Sequence, residues 1–255
     1  MLTHVNRDRF LNNGNQSIEP KRAKEEVDIM LLNNAGGIEG GKGTKEQSIQ
    51  ATKKLLLNPK TESYQHLDEA SRELVRKTID FFEQKGKAKL KDDDHERVWY
   101  SDFLEFSKKE KLFSTFLTVG EFGSGDCRWD TSRNCAINEI LGFYGLSYWY
   151  TWQVTILGLG PIWMSNNNTV KTRTAELLRD GEIFAFGLSE KEHGADIYSS
   201  DMDLVRQEDG SYLASGSKYY IGNANEAALV STFGKFADSG EYVFFVVNSK
   251  HENYE

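Results

Sequence analysis

Residues 186–196 read FGLSEKEHGAD, and residues 216–224 read GSKYYIGNA. The first stretch closes a short run, Glu182–Ser189, whose residues suit a strand, and it runs out into a turn. Ser189 puts a small hydroxyl at the strand end. Gly194 lets the backbone of the turn approach a ligand closely. Backbone N–H groups in such a turn can cradle an anion or an electron-rich ring edge. An ordinary hairpin carries the same residues, so the weight of the reading falls on what surrounds the pair.

After Gly181 the chain consists of short runs rich in β-branched and aromatic residues: Glu182–Ser189, Met202–Gln207, Ser211–Ala214, Lys218–Ile221, Ala228–Phe233 and Tyr242–Val247. Turns such as Asp209–Gly210 and Ser239–Gly240 separate them, which predicts antiparallel sheet. Before Gly181 the period is helical. Leu67, Leu74, Val75, Ile79 and Phe82 recur at three- and four-residue spacing, predicting a helix within 61–91. A second amphipathic run covers 96–117, a third helix begins near Arg133, and Asn168–Arg179 is a short basic helix stopped by Asp180–Gly181. Helices followed by strands predict an α+β chain with an N-terminal all-helical domain and then an antiparallel β-domain. The expected division is a poorly defined extension over 1–60, a helical domain over 61–180 and a partial β-domain over 181–255.

A net charge of -8 over 255 residues opposes a nucleic-acid surface, which needs a basic patch. The two cysteines, Cys127 and Cys135, are too few for a disulfide scaffold, and the five histidines are too scattered for a metal site. The N-terminus lacks the apolar core of a secretory signal. From Ile140 to Val170 there is no charged residue, long enough to span a bilayer. Four glycines, Gln153, Pro161 and the polar 166–168 end favour instead a helix buried within a bundle. Gly36, Gly41 and Lys42 graze a phosphate-binding loop, but Gly43 stands where Ser or Thr would hold magnesium, so a linker is the better reading.

Together, the two opening stretches resemble the flavin-contacting strands of the acyl-CoA dehydrogenase family, written A-L-T-E-P-x-A-G-S-D and G-x-K-x-W-I-T-N-A. The likeness extends from about Ser71 to the end of the chain. Glu139 with the apolar helix after it resembles the family's E-E-L segment, and Lys171–Ile183 its K-x-K-Y-L-P-x-L-x-S-G-E-x segment. The resemblance implies FAD as cofactor, with Phe186, Gly187, Leu188 and Ser189 along the isoalloxazine ring. It implies Gly194 and Ala195 near the flavin phosphates and the acyl-CoA, Ala195 thus also touching substrate, and Tyr220, Ile221 and Gly222 against the ring. The chain departs from the family at two places. Ala195 stands for a serine, and Gly222 for a threonine whose hydroxyl bonds the flavin.

The implied reaction is α,β-dehydrogenation of an acyl-CoA thioester, with an electron-transfer flavoprotein as an expected electron acceptor and a homo-oligomer expected at full length. In the family the catalytic base lies in a C-terminal helical domain. No catalytic residue is therefore assigned here, Glu190 included. The chain is expected to be a fragment, inactive and poorly soluble alone, with an open sheet edge. An acyl-CoA oxidase or a flavin monooxygenase of the same fold, or a binding-only product, remain alternatives. A cytoplasmic setting is expected, or the mitochondrial matrix if the source is eukaryotic.

Overall fold

The computed structural model describes residues 58–251 together with the backbone of a strand at Leu2–Thr3. The Gly36–Lys42 stretch and most of the expected N-terminal extension lie outside the described residues. Seven α-helices precede the main run of strands among the described residues: α1 (Glu69–Lys85), α2 (Lys87–His95), α3 (Ser101–Glu110), α4 (Leu112–Leu117), α5 (Thr131–Tyr144), α6 (Leu146–Met164) and α7 (Asn168–Arg179). The strands are β1 (Leu2–Thr3), β2 (Phe184–Gly187), β3 (Asp203–Arg206), β4 (Tyr212–Ser215), β5 (Leu229–Phe236) and β6 (Tyr242–Asn248). The architecture is α+β, with the helices standing between β1 and the other five strands.

Side-chain caps set the helix starts. The Asp68 carboxylate accepts from the Ser71 backbone N–H at 3.0 Å and opens α1. Asp130 does the same for α5 through Arg133 N at 2.9 Å, and Asn167 for α7 through Val170 N at 3.1 Å. The uncharged 140–170 segment is not one helix: it holds the end of α5, all of α6 and the start of α7, broken at Gly145 and again after Met164, with Pro161 inside α6. No described helix is long and apolar enough to cross a membrane.

One side of α6 is the centre of the core. Trp152 is fully buried, stacked on Phe113 with ring centroids 5.1 Å apart and meeting Phe116 edge-on. Phe82 of α1 stacks on Tyr144 at 4.7 Å and meets Tyr148 edge-on at 4.9 Å. The same cluster continues past residue 180 into Ile183, Phe184 and Leu229, so helices and sheet share their packing. The opposite side of α6 is largely open among the described residues: Leu146, Leu157 and Met164, at helical spacing, are exposed, and Tyr150 on the same side is partly covered by Gly222. The sequence reading of a helix buried all round holds for one side only.

The sheet follows the order β1-β6-β5-β3-β4, with β2 also on β5. β5–β6 and β3–β4 are antiparallel, as turn-linked strands should be, and the sequence-distant pair β1–β6 is antiparallel too. Two pairings are parallel: β2 takes residues 229–232 of β5 and β3 takes 235–236. The sheet is therefore mixed. A parallel pair needs a long connection, and the β3–β4 hairpin with its flanking loops supplies one between β2 and β5. The outer edge of β6 is partly occupied, Leu2 pairing with Phe245 and Thr3 with Phe244.

A further difference concerns Lys218–Ile221, expected as a strand. It is irregular chain, bent at Tyr220, which lies in the left-handed region at φ 55°, and it leads into a turn over 222–226 in which Asn223 has φ 62°. The turn brings the second quoted stretch back across the first.

Candidate functional site

β2 lies against α6 on one side and β5 on the other. The α6 contact is backbone-close: a Cβ on Gly158 would sit 2.5 Å from the Ala185 carbonyl oxygen. Ser231 reinforces it by donating its hydroxyl to the Gly158 carbonyl at 2.6 Å. β2 ends at Gly187 and therefore delivers the residues that follow, Leu188 and Ser189, from a fixed position.

Beyond that end the two quoted stretches are clamped together. Tyr219 N–H donates to the Ser189 carbonyl at 2.8 Å. The Lys218 ammonium donates to the Leu188 carbonyl at 3.2 Å and to the Glu190 carboxylate at 2.6 Å. Glu190 also accepts from the Ser200 hydroxyl at 2.5 Å and the Asp201 backbone N–H at 2.8 Å. Burial alone would raise its pKa. The hydrogen bonds and the charge of Lys218 outweigh that and hold it at about 2. A carboxylate so engaged is a poor proton acceptor, which removes Glu190 from consideration as a base.

On the other flank, Asn223 ties the turn to α6 and β2. Its Nδ2 donates to the Thr151 and Phe184 carbonyls, both at 3.1 Å, and its Oδ1 accepts from the Thr151 hydroxyl at 2.9 Å. Tyr100 extends the chain of contacts by bonding to the same Thr151 hydroxyl.

The 190–201 loop carries a second ion-pair set. His193 Nδ1 lies 3.0 Å from Asp196 and Nε2 lies 3.1 Å from Asp201. Two carboxylate acceptors, one on each ring nitrogen, favour the doubly protonated imidazolium, so the His193 pKa is raised, the Asp196 bond first among the causes. Glu190, His193 and Asp201 bring ligand-type atoms within 4.8 Å of one another. Lys218 and Asp196 already satisfy that cluster, and it is an ion-pair network.

The nine positions singled out from the sequence fall as follows. Gly187 is buried in β2; Phe186, Leu188, Ile221 and Gly222 are half-buried; Ser189, Gly194, Ala195 and Tyr220 are exposed. Phe186 stacks on Phe244 at 5.5 Å. A Cβ on Gly194 would meet nothing within 4 Å, so the space beside that backbone is open. Tyr220 is 85% exposed despite its left-handed backbone, its ring touching Tyr219 at 4.3 Å. The clamp brings residues 188–190 and 218–219 together. Gly194 and Ala195 sit further along the loop. An exposed aromatic, uncovered backbone at Gly194 and an exposed hydroxyl at Ser189 suit a planar ligand with a polar edge and a charged tail.

Sequence reasoning did not single out Lys218, Asn223, His193 or Tyr150. Lys218 and Asn223 stand inside the quoted GSKYYIGNA, where a lone Lys before two aromatics was the available signal. Tyr150 carries no local signal, because only the packing of α6 on the turn brings it to Gly222.

No family model matches the chain. The short-chain specific acyl-CoA dehydrogenase of Megasphaera elsdenii is 26% identical over 175 residues, 66% of this chain and 44% of that protein. The structure of butyryl-CoA dehydrogenase from Megasphaera elsdenii superposes with a TM-score of 0.62 at 25% identity, covering 73% of this chain and 50% of the other. A glutaryl-CoA dehydrogenase from Mycobacterium smegmatis, solved in complex with FADH2, superposes at 0.60 with 19% identity, over 75% of this chain and 48% of that one. The chain thus spans about half the length of the relatives it matches.

Proposed function

On the premise that this chain belongs to the acyl-CoA dehydrogenase family, we propose that it is the flavin-bearing part of an FAD-dependent enzyme that dehydrogenates an acyl-CoA thioester. The observation that carries the reading is the clamp of Lys218 and Tyr219 onto Leu188–Glu190, with Ser189 and Tyr220 left exposed beside it. It turns two separated stretches into one ledge with an aromatic surface and free polar groups.

Phe186, Gly187, Leu188, Ser189, Tyr220, Ile221 and Gly222 would hold the ring system of FAD. Gly194 and Ala195 would hold its phosphates, and Ala195 the acyl-CoA. What the group supplies when bound is a two-electron acceptor for hydride. The chain's own contribution is position and charge. The exposed Ser189 hydroxyl offers a donor at a ring edge, where negative charge accumulates on reduction, and a fixed donor there stabilises that charge. Lys218 acts one step back: its ammonium ties down the Leu188 carbonyl and so sets the angle at which Ser189 leaves β2. The base that takes the α-proton is not assigned to any described residue. The partners proposed are an acyl-CoA substrate and an electron-transfer flavoprotein, with self-association at full length and a cytoplasmic setting.

Titration of the 255-residue chain with FAD, followed by quenching of flavin fluorescence, tests this reading. Saturable binding near one FAD per chain, lost on replacing Ser189 and Tyr220 together by bulky acids, is the expected result. Absence of saturable binding by a folded chain overturns it.

A further inference from the structure

We propose that the phenol of Tyr150, on α6, is a contact to the flavin, occupying the place a side chain at position 222 would otherwise fill. The inference rests on the cofactor reading above and adds to it a residue from outside both quoted stretches.

Gly222 is not required by backbone conformation, since it is absent from the left-handed glycines, although Tyr220 and Asn223 on either side are left-handed. It is required by space. A Cβ there would lie 2.5 Å from the Tyr150 hydroxyl oxygen, 2.6 Å from Cε1 and 2.9 Å from Cζ. Tyr150 and any larger residue at 222 therefore exclude one another. The placement of Tyr150 is fixed by its neighbours on α6: Thr151 exchanges hydrogen bonds with Asn223 at 2.9 and 3.1 Å, and Trp152 is fully buried.

The phenol is nonetheless free to act. Tyr150 is 45% exposed, and among the described residues its hydroxyl makes no hydrogen bond. A polar group held against the turn, half open to solvent and with its donor uncommitted, meets whatever lies along Tyr220–Gly222. Gly222 brings no side-chain donor of its own. A flavin on this ledge presents ring carbonyls and nitrogens as acceptors, and the Tyr150 O–H is placed to donate to that edge.

The test is FAD affinity and the visible absorption of bound flavin, measured on the full chain for wild type, Tyr150→Phe, Gly222→Thr and the double variant Tyr150→Ala with Gly222→Thr. Tyr150→Phe keeps the ring and removes only the hydroxyl; the expected effect is about a five- to tenfold loss of affinity with a shifted flavin band, at an unchanged unfolding midpoint. Gly222→Thr alone displaces the phenol and is expected to weaken binding at least as much. The double variant, with room for the threonine hydroxyl, should recover most of the affinity. Wild type that binds FAD while Tyr150→Phe binds equally with the same spectrum overturns this proposal and leaves the cofactor reading standing. A folded wild type that binds no FAD overturns the cofactor reading and this inference with it. If the double variant fails to fold, Tyr150→Phe alone decides.

Discussion

Lys218 and Glu190 form an ion pair at 2.6 Å with side chains only 9% and 6% exposed. Such a pair costs desolvation on both sides, but removing one partner strands the other in a poorly solvated place. Lys218→Met is therefore expected to destabilise the chain by about 3 kcal/mol, read from urea unfolding. Because Glu190 titrates at about 2 in the folded chain against an ordinary 4.5, the pair's contribution is complete above pH 4.5 and lost as pH falls through 2. Wild type should lose stability across that window, and Glu190→Gln should lose less of it.

The His193 bridge responds in the opposite direction. Its folded pKa is raised above 6.5, so its contribution is whole at acid pH and disappears as pH rises through the folded value. Backbone amides of residues 190–201 should exchange faster, relative to intrinsic rates, above neutral pH than below it. Replacing His193 by Gln should flatten that dependence. An unchanged profile in the variant would show that another group sets it.

Two helical glycines make a matched pair. At Gly158 a methyl meets the Ala185 carbonyl oxygen at 2.5 Å, so Gly158→Ala must push α6 away from β2, at an expected cost of about 2–3 kcal/mol. At Gly142 in α5 nothing lies within 4 Å, and Gly142→Ala should stabilise by about 1 kcal/mol through helix propensity. Thermal unfolding of the two variants should therefore shift in opposite directions.

Asp68 serves three elements. It caps α1, accepts from Arg128, and lies 3.3 Å from the fully buried Arg133 guanidinium. Arg133 in turn donates to the Thr115 and Asp126 carbonyls, holding the loop before α5. Asp68→Asn preserves a capping oxygen but leaves Arg133 without a counter-charge; a loss of about 3 kcal/mol is expected in urea unfolding.

Much of this was readable from residue order. The period of Leu74, Val75, Ile79 and Phe82 places all four on the buried face of α1, and Asp209–Gly210 turns the β3–β4 hairpin as its residue types require. The quoted stretches named the ledge, because a strand end and a turn are local objects. What was not readable is non-local. The parallel seat of β2 on β5 depends on a crossover that no hydrophobic period encodes. Lys218–Ile221 has strand composition but is bent by the left-handed Tyr220, a conformation that tyrosine's identity does not announce. Tyr150 lies in an uncharged helical run, and its meeting with Gly222 exists only after α6 has docked.

The seat of β2 also bears on the order of synthesis. β2 leaves the ribosome directly after the helices and rests on α6, yet its strand partner β5 follows only after the whole of the β3–β4 hairpin has been made. Until residue 232 emerges, the backbone of 184–187 has a helix beneath it and no ladder beside it. The nascent chain therefore passes through a stage in which a hydrophobic strand, FAFG, waits unpaired on a finished helical layer. That interval, rather than any step within the helices, is where chaperone binding and mispairing of this polypeptide should concentrate.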